Sequence, residues 1–303
     1  MITVSNPGRV VFPASGHTKG CVVEHYRRVA ARMLPHVLRR PLSLKRYPRG
    51  VQAPGFFQKN VSAHYPDFIE RIEMRKKDGV TTHPSVHDAD GLAYLANQGT
   101  IELHVPTVRA PDLLHPDRIV VDLDPPPGEV ALARRAALLM RTELETFGMP
   151  TAVLATGSKG YHLVGAIDPT TDLETISTAM QQLAAIAVHR HPETMTTVFR
   201  VAKRGKRVFV DWLRNAYAAT VVAPYSLRAR PNATVAVPIE WSELEHTAPD
   251  AFHLGNIAQR LEHDDPLATL AERPVDAAPF VAAVGATFDE AGLVLETFDR
   301  FRG

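Results

Sequence analysis

The chain has 303 residues, of which 45% are hydrophobic and 22% are charged, and its formal net charge is +1. This length and apolar content suffice for a buried core in one large or two smaller domains, and they exclude an intrinsically disordered protein. The single cysteine excludes a disulfide scaffold and a cysteine-cluster zinc site, and without a long apolar run or a signal sequence we expect a cytoplasmic protein with no membrane partner.

The first third of the chain predicts two helices and two strands. Thr18 can cap a helix that runs to about Met33 and ends at Pro35. Asp88 can cap a second helix, for which Gly99 supplies the stop. Alternating or short apolar runs predict strands at 42–47 and 101–105.

The rest of the chain mixes strands and helices without strict alternation. An apolar run ending in acids predicts a strand at 118–124, and Asp172 can cap a helix over 173–189. The remaining predicted elements are a helix over 129–147, strands at 151–155, 161–167, 208–212 and 220–222, and short helices after 239. This order favours an α+β fold over a doubly wound sheet.

The near-zero net charge hides a gradient along the chain. Residues 1–60 hold 11 basic residues and one acidic residue, residues 61–238 are balanced, and residues 239–303 are acidic by nine charges. Cations interleaved with aromatic residues, such as Lys45 and Arg46 beside Phe56 and Phe57, suit a polyanionic partner. The alternative is a solvated basic helix beside a phenylalanine pair in the core. Where the run of charges is the only observation, this alternative is favoured.

Three aspartates on two predicted strands could form a metal site. Asp122 and Asp124 are two residues apart, which places both carboxylates on one face of a strand, and Asp211 ends a second apolar strand. Hard oxygen ligands suit Mg²⁺ or Mn²⁺, and three such carboxylates could hold two metal ions for a phosphoryl displacement. A strand end with a turn cap is the alternative interpretation.

The segment 156–162, TGSKGYH, lies between two predicted strands. Its glycines allow a close backbone approach, and Ser158, Lys159 and His162 could hold phosphates. It matches neither the Walker A pattern nor the nucleophile elbow, so a glycine-rich hairpin with a lone histidine remains the alternative. The basic run 203–207 before Asp211 could likewise be a solvated hairpin.

Together these segments resemble the polymerase domain of bacterial ligase D, within the archaeo-eukaryotic primase superfamily. The resemblance covers roughly residues 4–245 in unbroken order. It is carried by NPGRVVFP (6–13), TKG (18–20), LKRYP (44–48), GFFQK (55–59), ELH (102–104), VDLDP (121–125), GSKGYH (157–162), VFVDW (208–212) and APYSLRAR (223–230). It implies a catalytic core of mixed and antiparallel sheets flanked by helices.

The resemblance also implies a role for each matching residue. Asp122, Asp124 and Asp211 would be catalytic and would bind two divalent cations, Mn²⁺ or Mg²⁺. The incoming NTP or dNTP would be bound by His104, Thr156, Ser158, Lys159, His162, Arg204 and Arg228. The 5′-phosphate of a gapped or recessed DNA end would be held by Asn6, Arg9 and Lys19. The DNA itself would contact Lys45, Arg46, Phe56 and Phe57.

The implied function is a template-dependent polymerase that fills short gaps at 5′-phosphorylated DNA ends and inserts ribonucleotides readily. We expect a single catalytic domain with a basic DNA-binding part (1–105), a metal- and nucleotide-binding core (117–238) and an acidic helical tail (239–303). No ligase motif follows, so we expect a stand-alone, nucleoid-associated form that works with a separate DNA ligase and an end-binding protein. A metal-dependent phosphoesterase or nuclease, and a non-catalytic end-binding module, are the alternatives.

Overall fold

The computed structural model describes residues 2–295. Residue 1, the start of the predicted basic part, and residues 296–303, the end of the predicted acidic tail, lie outside it. Its strands are β1 (Val10–Phe12), β2 (His17–Thr18), β3 (Ser43–Arg46), β4 (Phe56–Gln58), β5 (Glu70–Lys76), β6 (Gly79–Ser85), β7 (Thr100–Val105), β8 (Arg118–Asp124), β9 (Ala152–Ala155), β10 (Tyr161–Ala166), β11 (Met195–Thr196), β12 (Val208–Asp211), β13 (Val221–Val222) and β14 (Val237–Ile239). Its α-helices are α1 (Lys19–Arg28), α2 (Ala30–Val37), α3 (Ala89–Asn97), α4 (Val130–Thr146), α5 (Leu173–Arg190), α6 (Ile257–Arg260), α7 (Pro266–Ala271) and α8 (Ala277–Glu290).

A six-stranded sheet forms the centre of the molecule, in the order β11-β12-β8-β10-β9-β14. Its pairs are antiparallel except for β11 and β12. Ile119, Val121 and Leu123 of β8 point to one face and pack into a core shared with α4, α5 and α8. Val120 points to the other face, into a second core, so the even-numbered positions of β8 face the N-terminal part of the chain.

The second core joins the N-terminal part to a later segment. It contains a four-stranded sheet, in the order β13-β7-β3-β4, with α1, α2 and α3 packed beside it. Residues 221–237 and parts of α6 and α7 contribute to the same core. The even-numbered face of β8 therefore looks into the space between the two sheets, where its acidic end meets β7, β13 and β4.

The predicted α+β class is confirmed, and most element predictions agree with the structure. The strand at 118–124 is found with the predicted bounds, and Thr18, Asp88 and Asp172 cap their helices by accepting hydrogen bonds from backbone amides. The hairpin of β5 and β6 was not predicted, although Ile72 and Met74 alternate with charged residues as an amphipathic strand requires.

The prediction that one helix ends at Pro35 is wrong. The chain breaks at Val29 into two helices, and Pro35 lies inside the second of them, α2. The amide of Leu38 still bonds the carbonyl of Leu34, and His36 and Val37 after the proline are buried. Because these buried side chains anchor the last turn, α2 continues despite the hydrogen bond that proline cannot donate.

None of the helices within residues 2–295 combines the length and the apolar composition that crossing a bilayer demands.

Candidate nucleotide and metal site

A cavity of about 430 Å³ lies between the two sheets, at the acidic end of β8. Carboxylates of β8 form one wall, and the loop between β9 and β10 forms a second wall, where Lys159 of the loop is joined by Arg228 and Arg230. Strands β7 and β13 close the third side, and β4 lies at the edge. The lining residues are Phe57, His104, Asp122, Asp124, Thr156, Ser158, Lys159, Gly160, His162, Arg214, Thr220, Val221, Val222, Arg228 and Arg230.

Strand pairing brings the three predicted acids together. Asp122 and Asp124 share one face of β8, and Asp211 is the direct cross-strand partner of Asp122 on β12. His162 is the partner of Asp122 on the opposite neighbour, β10. Directly opposed residues of antiparallel strands point to the same face, so Asp122 stands between Asp211 and His162. Asp122 and Asp124 line the cavity, whereas Asp211 lies beside it and is buried.

Arg214 bridges two of these acids and was missed from the sequence. Its Nε lies 3.1 Å from Oδ2 of Asp122, and its Nη2 lies 2.9 Å from Oδ2 of Asp211. Arg214 follows Asp211 by three residues in a 3₁₀ turn, Leu213–Asn215, which carries its side chain back over the acids. The spacing Asp-x-x-Arg after an apolar strand was the available signal.

The two opposed aspartates titrate in opposite directions. Burial raises the pKa of Asp211 to about 6, and the charges of Asp122 and Asp124 add to this effect against the opposing charge of Arg214. Burial alone would also raise the pKa of Asp122, but His162 and Arg214 hold it well below its usual range. The site therefore contains one firmly ionised carboxylate beside one that can take up a proton near neutral pH.

The donor set fits hard divalent cations, although it is closed by protein cations in this conformation. Among the described residues, no group of three or more acidic, histidine or cysteine side chains is gathered tightly enough to form a ready metal cluster. Nζ of Lys159 lies 3.2 Å from Oδ1 of Asp124, while Arg214 bridges the other two carboxylates. All three acids offer carboxylate oxygens, the ligands preferred by Mg²⁺ and Mn²⁺, so these residues can hold such ions once Arg214 and Lys159 are displaced.

The loop between β9 and β10, which carries Lys159, packs closely against the acidic end of β8. A Cβ on Gly160 would lie 1.9 Å from the carbonyl oxygen of Leu123, so only glycine lets this loop approach the end of β8. Gly157 has φ +66° and packs against Arg228. Oγ1 of Thr156 donates to the carbonyl of Gly160, so this hydroxyl closes the loop.

Glu102 on β7 orders the side chains opposite the loop and was also missed as a site residue. It accepts hydrogen bonds from His104, from Nε of Arg228 at 3.1 Å and from the amide of Ala229, and it pairs with Lys45. Burial would raise its pKa, but His104, Arg228 and Lys45 hold that pKa far below its usual range. Arg228 also donates to the carbonyl of Thr156, which ties β7 to the loop between β9 and β10.

Arg204 is not among the residues that line the cavity. Its guanidinium donates to the carbonyls of Val198 and Phe199 and stacks 3.8 Å from the ring centroid of Phe209. Phe209 is the cross-strand partner of Asp124, so Arg204 lies next to the acidic wall and not inside the cavity. Its predicted contact with a nucleotide stays a prediction.

The three residues predicted for a 5′-phosphate gather at the N-terminus of α1. The turn that carries Asn6, with φ +48°, and Arg9 folds onto this helix, where the amide of Gly20 bonds the carbonyl of Pro7. Nζ of Lys19 donates to Oγ of Ser5, and burial, followed by the charge of Arg9, lowers the pKa of Lys19. The amides of Lys19, Gly20 and Cys21 already bond the carbonyls of Arg9 and Pro7 and the hydroxyl of Thr18. The charges of Arg9 and Lys19 are therefore what suits this surface to an anion.

Strands β3 and β4 place the predicted DNA-contacting residues side by side. Lys45 is opposite Phe57, and Arg46 is opposite Phe56. The two phenylalanines are 47% and 56% exposed, with a cation near each ring, so they are not the core pair of the alternative interpretation. Phe57 also lines the cavity and meets His104 edge to face, which connects this aromatic surface to the candidate site.

Comparisons with known proteins find relatives of this chain. The family model of the LigD primase-polymerase domain matches residues 18–267. The multifunctional non-homologous end joining DNA repair protein LigD of Mycobacterium tuberculosis is 34% identical over 276 residues, which are 88% of this chain and 36% of that protein. The LigD protein of Mycolicibacterium smegmatis is 36% identical over 287 residues, 90% of this chain and 37% of that protein.

A solved structure is similar as well. The polymerase domain from Mycobacterium tuberculosis ligase D, in complex with DNA, superposes with a TM-score of 0.84 and is 33% identical, covering 90% of this chain and 99% of that one. The chain spans little more than a third of the length of the LigD proteins it matches. The family is one of metal-dependent nucleotidyltransferases. The predicted resemblance is confirmed: this chain belongs to the LigD primase-polymerase domain family.

Proposed function

We propose that this protein is a template-dependent polymerase that adds ribonucleotides or deoxyribonucleotides to a primer 3′-hydroxyl at short gaps in broken DNA. The observation that carries this proposal is the cavity between the sheets, which faces Asp122 and Asp124 on one side and Lys159 and Arg228 on the other. A triphosphate needs both kinds of group, because cations neutralise its charge while carboxylates hold the metal ions that it brings.

The acidic wall would hold two divalent cations, Mn²⁺ or Mg²⁺, through Asp122, Asp124 and Asp211. When bound, such ions supply charge stabilisation to the attacking and leaving oxygens of a phosphoryl displacement. Arg214 is about one-third exposed and Lys159 nearly half exposed, so both side chains have room to leave the carboxylates. Arg214 and Lys159 would then pair with the triphosphate, which is negatively charged.

The chain's own groups would then orient the reaction. Lys159, His162 and Arg228 would bind the triphosphate, with the hydroxyl of Ser158 as a further donor. The primer 3′-oxygen attacks the α-phosphorus, the bond from that phosphorus to the bridging oxygen breaks, and pyrophosphate leaves. Asp211, directly opposite Asp122, would help to accept the proton of the primer hydroxyl.

Two surfaces would position the DNA. Phe56 and Phe57 would stack on the template side while Lys45 and Arg46 neutralise backbone phosphates. Asn6, Arg9 and Lys19 would bind the 5′-phosphate at the far side of the gap. We place the reaction in DNA end joining, at the nucleoid, with DNA ligase activity and an end-binding protein as its partners, because the related LigD proteins are named for non-homologous end joining.

Primer extension tests the proposal. A labelled primer on a gapped, 5′-phosphorylated duplex is incubated with Mn²⁺ or Mg²⁺ and with ribonucleotides or deoxyribonucleotides. We expect template-dependent extension to the end of the gap. Mn²⁺ should support it at least as well as Mg²⁺, and ribonucleotides should be used at least as well as deoxyribonucleotides. Shortening of the primer without nucleotides would instead indicate a nuclease. DNA binding that neither metal nor nucleotide affects would indicate a non-catalytic end-binding module.

A further inference from the structure

A second cavity, of about 410 Å³, lies at the other end of β8 from the acids. Its floor is the end of β10, and its roof is α7 with the segment that follows. Its walls come from α2 and from the loop before β8. Apolar lining is supplied by Pro35, Val164, Gly165, Ala166, Ile167, Pro169, Leu267, Ala268, Ala271 and Pro274, and polar lining by His36, Arg109, Asp117, Arg118 and Glu272. This volume lies within the range of about 300–1,000 Å³ found for small-molecule pockets.

Three arginines surround one carboxylate beside this cavity. Arg40 donates to both carboxylate oxygens of Asp117 through Nη2, Arg109 donates through Nε, and Nε of Arg118 lies 3.4 Å from Oδ1. Arg40 is fully buried, and the side chain of Arg118 is only 9% exposed. Such a buried surplus of positive charge is costly unless an anion compensates it.

Arg118 is the arginine that remains available. The donors of Arg40 and Arg109 are used by Asp117 and by the backbone carbonyls of residues 35, 36, 38, 106 and 108. For the two Nη groups of Arg118, by contrast, no hydrogen-bond partner is found among residues 2–295. These donors belong to a cavity-lining side chain that is nine-tenths buried.

The nearby acids other than Asp117 do not compensate Arg118. Asp265 is occupied by His36, by the hydroxyl of Tyr225 and by the capping amides of α7. Glu272 is exposed at the rim and forms no ion pair with another described residue. The charges that act on Arg118 are those of Asp117 and Arg109, and burial lowers its pKa, as expected for a cation with too little negative charge around it.

We propose that this second cavity binds the phosphate group of a small molecule, with the Nη groups of Arg118 as its principal donors. The planar guanidinium can donate two parallel hydrogen bonds to phosphate oxygens. The apolar remainder of the cavity, lined by Val164, Ile167 and Leu267, leaves room for the body of a mononucleotide beyond the phosphate. Free phosphate and a nucleoside monophosphate share the chemistry that Arg118 recognises.

Backbone amide shifts in NMR spectra test this site separately from the cavity at Asp122. The probes are inorganic phosphate and adenosine monophosphate, each titrated into the metal-free protein. We expect saturable shifts of the amides of Gly165 and Ala166, which line the second cavity, with either probe or with both. The probe that shifts them identifies whether free phosphate or a nucleotide is the ligand.

Two variants separate the site from general effects. Arg118→Gln should weaken the response of Gly165 and Ala166 at least about tenfold, because it removes a charged bidentate donor. Ala268→Met should do the same by filling the cavity while all three arginines remain. The exposed Arg75→Gln should leave the response unchanged, and each variant is checked by its unfolding temperature.

The proposal is overturned if Gly165 and Ala166 of the wild type do not shift with either probe. It is equally overturned if their shifts persist at wild-type affinity in a folded Arg118→Gln or Ala268→Met protein. Shifts of residues 158–160, which line the cavity at Asp122, report on that cavity alone. The second site can therefore fail without any consequence for the proposed polymerase activity, and the reverse also holds.

Discussion

Burial raises the pKa of Asp211 to about 6 from an ordinary value of 3.8, and the charges of Asp122 and Asp124 contribute to the shift. Between these two pH values the folded protein holds a proton that the unfolded chain has released. The stabilisation from Asp211 is therefore present below about pH 4 and is lost as the pH rises through about 6. At neutral pH the ionised carboxylate of Asp211 therefore destabilises the fold. Such a cost is typical of residues that serve a functional site.

Asp211→Asn should therefore stabilise the metal-free protein near neutral pH. A shift of about two pKa units corresponds to about 2–3 kcal/mol, so the free energy of unfolding should rise by up to that amount at about pH 7.5. The gain should shrink to within about 1 kcal/mol at about pH 4.5, where the wild-type carboxyl is already protonated. Urea unfolding at both pH values measures the difference, with the exposed Asp78→Asn as control. An equal gain at both pH values would contradict the assigned pKa.

Glu102, unlike Asp211, has a lowered pKa, because His104, Arg228 and Lys45 stabilise its ionised carboxylate. Glu102→Gln keeps the shape but removes the charge that orders Arg228, His104 and Lys45. Hydrogen bonds to charged groups contribute about 1.5–3 kcal/mol each, so we expect a loss of about 2 kcal/mol in the free energy of unfolding and a raised KM for the nucleotide. Denaturant unfolding and steady-state extension measure the two effects, and unchanged values of both would refute this role.

At the scale of elements, β4 presents two neighbouring aromatic rings to solvent. Phe56→Ala and Phe57→Ala should each weaken binding of a gapped duplex about tenfold, since stacking on one base contributes about 1–3 kcal/mol. Because both rings are about half exposed, the unfolding temperature should change little. Fluorescence anisotropy of a labelled duplex measures the affinity. Phe68→Ala, another exposed phenylalanine, is the matched control, and an equal loss in that variant would argue against specific stacking.

The N-terminus of α1 is the element expected to read the 5′-phosphate. Lys19→Ala should reduce the preference for 5′-phosphorylated over unphosphorylated gaps and lower the slope of log affinity against log salt by about one. Lys77→Ala, in the hairpin of β5 and β6, removes the same charge elsewhere and should preserve the preference. A wild-type protein that uses both kinds of gap equally would remove the basis of this assignment.

At the scale of the whole molecule, local features could be predicted from the sequence, and contacts between distant segments could not. The strand 118–124 and its acids were predictable because the apolar run and the two-residue period are local properties. The sequence predicted that Asp122 and Asp211 share one site, but it did not predict that they lie directly opposite each other on neighbouring strands. Strand register depends on contacts between distant segments. Arg214 and Glu102 were missed because their roles arise from side chains that meet only after folding.

The acidic tail shows a second limit of sequence interpretation. Its charge distinguishes it along the sequence but does not show where it packs, and in the structure its apolar residues enter both cores. Leu267 packs into the N-terminal core, while Phe280 and Phe288 of α8 pack into the core of the six-stranded sheet. The many charged residues on the exposed faces of such helices dominate the composition of the tail. The few apolar residues on the buried faces decide where the helices pack.

The proposed polymerase activity requires Asp122, Asp124 and Asp211 to act together as the catalytic acids of nucleotidyl transfer. Its most direct test is primer extension by Asp122→Ala on a 5′-phosphorylated gapped duplex with Mn²⁺ and nucleotides, alongside wild type and Asp78→Asn. We predict that extension by Asp122→Ala falls to background while its affinity for the phosphorylated duplex stays within about threefold of wild type. Extension by a folded Asp122→Ala protein at a rate near that of wild type would show that these acids do not carry the reaction.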